Sequence, residues 1–315
     1  MHMHGLPPNN SKLKTQNSKL VQALPFVLPA LAFLVIFLVY PTIWTIALSF
    51  NTGQGLDFHE WVGLDNYINL FTRDRLFFDA REFPPTGAVF NNVLWVIMNT
   101  SLCVGLGLLI AVLADRVRYE SIVKSIVFLP MAIASTAVGV IWLFVYSPDP
   151  SIGLLNALVS FFNPDSEPVS WMGRRATVNY AIIFANVWAQ TGFAMVILSA
   201  ALKGIPGELK EAAKVDGANE WSIFRRIILP MLSLPIAVVT VTLVINVLKV
   251  FDIIYIMTQG GPRGASRVIA YTMYVETFQG GRAGYGSAVA VIMLLLIIPI
   301  MLFNIRRFRT EGVTR

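Results

Sequence analysis

The chain has 315 residues, of which 56% are hydrophobic and 13% charged, and it carries a formal net charge of +6. Soluble domains carry about 25% charged residues, so most of this chain cannot be clothed for water and lipid is its expected solvent. The basic residues fall in short clusters beside apolar runs, a pattern of membrane orientation that argues against nucleic acid as a partner. The single cysteine, Cys103, excludes an intrachain disulfide and a cysteine metal cluster.

In chain order, residues 1–23 read as a polar tail holding Lys12, Lys14, Lys19 and the pair His2 and His4. A histidine pair has metal-binding chemistry, but a solvated tail is the simpler reading. A membrane-crossing helix needs about 20 mostly apolar residues. Six segments meet that demand, at 24–50, 89–114, 122–146, 178–202, 229–251 and 285–305. The first is much longer than the roughly 7–15 apolar residues of a signal peptide, so it reads as an uncleaved span. With the N-terminus inside, inner segments hold 15 Lys and Arg and outer ones hold 8, which places both termini in the cytoplasm. A cytoplasmic tail at 310–315 closes the chain. In the second span, Ser101 with Gly105 and Gly107 with Ala111 form small-residue pairs that let helix backbones approach in lipid. Asn91, Asn92 and Asn99 read as packing or helix-start residues.

Between the fourth and fifth spans lies a polar segment, 205–228. Pro206 suits the first position of a helix, and Glu208 and Glu211 favour its positive end. Leu209, Ala212, Ala213 and Asp216 lie along one stripe. Gly217 permits the turn that ends this helix. Asn219 can cap a second helix with Glu220 in its first turn, Arg225 and Arg226 in its last, and an apolar face of Trp221, Phe224, Ile227 and Ile228. Pro230 then marks the start of the next span. Two placements fit such a helix–turn–helix: flat on the lipid surface, or inserted in a partner's groove. The polar, alanine-rich first helix suits the groove better.

Ionisable groups within spans are costly and often line a water-filled path. Lys249 and Asp252 stand near the end of the fifth span, where they can line such a path or pair with each other across one helical turn. Asn246 lies on the same side. Asn186, Trp188 and Gln190 fall in the fourth span. Their amides can bond sugar hydroxyls and the indole can cover a ring's C–H face, although interhelical hydrogen bonds explain amides equally well. Gly260-Gly261-Pro262 reads as an outer turn, and Tyr271, Tyr274 and Phe278 give 266–279 the spacing of a short surface helix.

The stretch Glu211–Pro230, EAAKVDGANEWSIFRRIILP, resembles the EAA motif of permease subunits of binding-protein-dependent ABC importers. Glu211, Ala212, Ala213, Asp216, Gly217, Ala218, Phe224, Ile227, Leu229 and Pro230 all match. The likeness covers most of 24–309 and implies an all-α membrane protein with the six-helix type I importer permease fold. It implies that the motif forms coupling helices seated in a cleft of a cytoplasmic ATPase, with Glu211 and Gly217 central. It further implies a second homologous permease, two ATPase copies that alone bind ATP and Mg, an extracytoplasmic solute-binding protein received by the outer loops, and no catalysis or cofactor in this subunit. The expected location is a bacterial or archaeal inner membrane. The run 258–262 (TQGGP), preceded by Lys249-Val250-Phe251-Asp252, is similar to carbohydrate permeases of the maltose type, in which the later spans touch substrate. Asn156 within IGLLNALV, with the runs QTGFAMVILSAALKGIP and GLLIAVLADRV, is most similar to the α-glucoside and glucosylglycerol branch. Another polar solute, such as glycerol phosphate or a polyol, is the alternative within the family.

Two other classes fit less well. A secondary transporter should show duplicated halves with broken helices, and no clear duplication is present. A membrane enzyme needs converging acid, base, nucleophile or metal ligands. The three histidines, His2, His4 and His59, all lie outside the spans, and no GxxxxGK[ST] phosphate loop occurs.

Overall fold

The computed structural model describes residues 25–53, 55, 57–81 and 83–312. The N-terminal tail, with His2, His4, Lys12, Lys14 and Lys19, lies outside the described residues, as does Arg315. Helices follow one another as α1 (Pro25–Leu48), α2 (Asp65–Thr72), α3 (Ala88–Ala114), α4 (Glu120–Ala132), α5 (Ser135–Val145), α6 (Leu154–Phe162), α7 (Val178–Lys203), α8 (Gly207–Val215), α9 (Glu220–Met231), α10 (Ser233–Leu248), α11 (Asp252–Met257), α12 (Ile269–Tyr274) and α13 (Ala283–Gly312). Among the described residues there is no strand, only isolated bridges at Asn51–Trp61 and Asp79–Thr86.

Four helices, α1, α3, α7 and the Ala283–Asn304 part of α13, are each long and apolar enough to cross a membrane. The remaining two expected spans are broken. The segment predicted as one helix over 122–146 is α4 and α5, bent by 103°. Pro130 is the cause: its ring would meet the carbonyl of Ile126 in a regular helix. The chain therefore tightens to a 3-10 turn at Leu129–Ala132 and then runs extended through Ile133 and Ala134. The segment predicted over 229–251 joins α9 and α10 at a 64° bend. Pro230 does not start this helix, which passes through it, and the break falls at Leu232, one turn before Pro235. Pro235 would crowd the carbonyl of Met231 if the helix ran on.

The long α7 is the packing centre. In its most apolar stretch 61% of residues are buried within the chain, against 0% for α1. It lies along α3 at Gly107, where a Cβ would stand 2.6 Å from Ala194 Cβ, and under α4 at Gly192, where a Cβ would stand 2.7 Å from the Val127 carbonyl. Gly107 and Ala111 thus perform the close approach expected of them. Ser101 and Gly105 do not, because they face away from the chain and nothing lies within 4 Å of a Cβ at Gly105.

At the end of the bundle opposite the helix–turn–helix elbow at 205–228, asparagines tie the loop before α12 to α3 and α7. Asn91 donates to the carbonyls of Ala265 and Arg267 at 2.9 and 2.7 Å, and Asn179 donates to Ala265 and to Asn91. Asn92 accepts from the Ile269 N–H at 2.7 Å. The turn expected at Gly260-Gly261-Pro262 is present, with Gly260 at φ +76. The short helix after it is also present, but it is not a surface helix: Ile269, Ala270, Tyr271 and Thr272 are buried, and Phe278 alone of the three aromatics is strongly exposed. Asn156 bridges the Ser147 and Val169 backbones and so closes the α5–α6 loop.

Candidate functional site

The middles of α3 and α7, the end of α10 and the starts of α5 and α11 converge on a cavity of about 240 Å³. Asn186 and Gln190, one turn apart on α7, face it together with Asn246, Lys249 and Asp252. Two of its polar members, Asn99 and Ser135, were not expected here from the sequence. Asn99, read as a packing or helix-start residue, lines the cavity and accepts a 2.8 Å hydrogen bond from Asn186 Nδ2, while its own buried Nδ2 finds no partner among the described residues. Ser135 reaches the wall only because the third span breaks there, so no periodicity could have placed it. Trp188, also expected here, does not line the cavity. Its ring meets Trp142 edge-on at 5.8 Å, because two residues past Asn186 a helix points elsewhere.

The expected one-turn pairing of Lys249 and Asp252 is not formed. Helix α10 ends at Leu248, Lys249 is its cap, and α11 opens anew at Asp252. Among the described residues no ion pair joins the two, and both open onto the cavity, walled on one side by Phe251. The result is a set of amide donors and acceptors, one hydroxyl, one ammonium, one carboxylate and an aromatic ring. Such a set suits a polyhydroxylated solute, whose hydroxyls need donors and acceptors at once.

From the cavity α7 runs without interruption to Lys203, and three residues later the elbow begins. Pro206 is the residue before α8, in an extended conformation, and does not occupy the first helical position. The helix ends in a Schellman turn: Gly217 stands at φ +79, its N–H donates to Lys214, and the Ala218 N–H reaches back to Ala213 at 2.9 Å. Asn219 caps α9 by accepting the Ser222 N–H at 2.8 Å. Ala213, Ala218 and Phe224 turn inward onto Leu202, Ile205, Ile223, Ile228 and Leu232. Glu211, Ala212, Asp216 and Gly217 remain exposed. Alongside them Val215 is 88% and Trp221 67% exposed, an apolar surplus on an otherwise polar elbow. Glu220 bonds Arg116 at 2.9 Å and Lys214 at 3.1 Å, which ties the elbow to the end of α3.

Residues 104–305, from mid-α3 through the elbow to the last span, match the family described as binding-protein-dependent transport system inner membrane component. The chain belongs to this family. It is therefore a permease subunit of a binding-protein-dependent ABC transporter, a multi-pass inner-membrane component. The permease is 49% identical over 294 residues to the osmoprotective compounds uptake permease protein GgtC of Synechocystis sp., covering 92% of this chain and 100% of the relative. It is 42% identical over 292 residues to the alpha-glucoside transport system permease protein AglF of Rhizobium meliloti, covering 91% and 82%. Among solved structures, a chain of a bacterial ABC transporter involved in import of the acidic polysaccharide alginate superposes with TM-score 0.74 at 25% identity, covering 96% of this chain and 99% of that one.

Proposed function

We propose that this permease forms half of the pathway of an ATP-driven sugar importer, of the α-glucoside or glycosylated-osmolyte class, and couples to its ATPase through α8 and α9. The observation that carries this reading is one of mechanical continuity. The helix that presents Asn186 and Gln190 to the cavity ends three residues before the capped elbow. A motor that displaces α8 moves the cavity wall through one rigid helix. Glu211, Ala212, Asp216 and Gly217 form the exposed seat, and Ala213, Ala218 and Phe224 anchor it to the bundle.

In this reading both termini are cytoplasmic, a second homologous permease supplies the other half of the pathway, and two ATPase copies bind ATP and Mg. An extracytoplasmic binding protein delivers the sugar to the end where Asn91, Asn92 and Asn179 clasp the α12 loop. The permease itself carries out no chemical step. Another polar solute, such as a free polyol, is the second reading, favoured by the 49% identity to the osmoprotective compounds permease.

The test is transport and ATPase activity of the complete importer in vesicles carrying Glu211→Lys or Gly217→Val. Both variants should assemble yet lose most sugar uptake, with ATPase activity no longer stimulated by the loaded binding protein. Uptake at the native rate in both would remove the elbow from the mechanism.

A further inference from the structure

A second cavity, of about 430 Å³, lies between α4 and the last two turns of α7, away from the cavity described above. Its polar wall holds two lysines and one carboxylate. Glu120 pairs with Lys124 on its own helix and with Lys203 at 2.8 Å across to α7. Two ammonium groups sharing one carboxylate leave a net positive charge. The Lys124 ammonium is partly buried and also donates to the buried Ser199, so two of its three protons are placed and the third remains. Lys203 is half-exposed at the rim. Ser121 and Ser125, one helical turn apart, bring hydroxyls that form no hydrogen bond among the described residues. The other end of the cavity is apolar, lined by Phe128 and Val196, both exposed.

We propose that this cavity is a binding site for a phosphate group. A phosphate is an acceptor-only anion, and it would accept hydrogen bonds from the ammonium groups of Lys124 and Lys203 and from the hydroxyls of Ser121 and Ser125. Lysine binds such a group as a point charge. Basic pockets between membrane helices are suited to lipid headgroups, and Phe128 and Val196 would then receive the start of the acyl region. A soluble phosphate ester offers the same anion without the chains. Glu120 has two effects in this site: it positions both lysines and it opposes the anion.

The experiment is native mass spectrometry of the complete importer, titrated with dioleoylphosphatidylglycerol or with dioleoylphosphatidylcholine, whose choline cancels the charge. The wild type should retain the anionic lipid about tenfold better than the zwitterionic one, as two nearby lysines offset by one carboxylate allow. Lys124→Gln with Lys203→Gln should abolish that preference, whereas Lys124→Arg with Lys203→Arg, which keeps both charges, should retain it. Glu120→Gln should strengthen retention, an outcome that a merely structural ion-pair cluster would not give. Glycerol 3-phosphate added as competitor identifies the source: displacement at equal concentration assigns the site to soluble phosphate esters, and no displacement assigns it to lipid. Equal retention of the two lipids by wild type, no effect of the double glutamine variant in an intact complex, or weaker retention by Glu120→Gln would overturn the proposal.

Discussion

At the residue scale, the turn at Gly217 and the amides of the cavity make separate demands. Nothing crowds a Cβ at Gly217, so the constraint there is its φ of +79 and not space. A β-branched side chain costs about 1–2 kcal/mol in that conformation, whereas asparagine tolerates it. Gly217→Asn should therefore keep transport while Gly217→Val loses it, as measured by sugar uptake in vesicles. In the cavity, a solute hydroxyl bonded by Gln190 gains on the order of 1 kcal/mol. Gln190→Leu should raise the KM for uptake about fivefold with ATPase stimulation retained. An unchanged KM would take Gln190 out of the pathway. Gly107 is limited by space instead: with Ala194 Cβ 2.6 Å from the added atom, even alanine forces α3 and α7 apart.

At the element scale, the loop before α12 depends on a buried charge network. Glu276 is paired with Arg267 at 2.8 Å and with Arg282, and the Arg267 and Glu276 side chains are 11% and 7% exposed. Breaking such a pair from one side leaves a buried charge uncompensated, at about 3–5 kcal/mol. Glu276→Gln should accordingly lower the thermal unfolding temperature of the complex, and Arg267→Met added to Glu276→Leu should recover most of the loss. This network was not legible from the sequence, because Arg267 and Glu276 sit in a segment read as surface. The elements themselves were largely legible. Four apolar runs form single helices long and apolar enough to cross a membrane, and the elbow's glycine turn and asparagine cap stand where Gly217 and Asn219 placed them. Hydropathy could not reveal the bends, since residues 122–146 are apolar on both sides of the break and only Pro130 marks it. The same blindness joined Lys249 to Asp252 in one helix, although the helix in fact ends at Leu248 and a new one opens at Asp252. Asn186, Gln190, Asn246, Lys249 and Asp252 nevertheless meet, because each is a polar group in an apolar run that must find a polar cavity.

At the scale of the whole molecule, α1 stands apart from the packed helices. No residue in its most apolar stretch is buried within the chain, so that surface is left to lipid or to a neighbouring subunit. In the proposed mechanism an ATPase seats on α8 and drives α7 through it. The most direct test uses the chain's lack of any cysteine other than the buried Cys103. With Ala212→Cys in the permease, a short thiol cross-linker applied to the assembled importer should join the permease to the ATPase in high yield, with the yield changing when ATP is bound. A single cysteine at the exposed Phe162, on α6 between the third and fourth expected spans, should give no such product. Cross-linking from the Phe162 position but none from Ala212 would contradict the account.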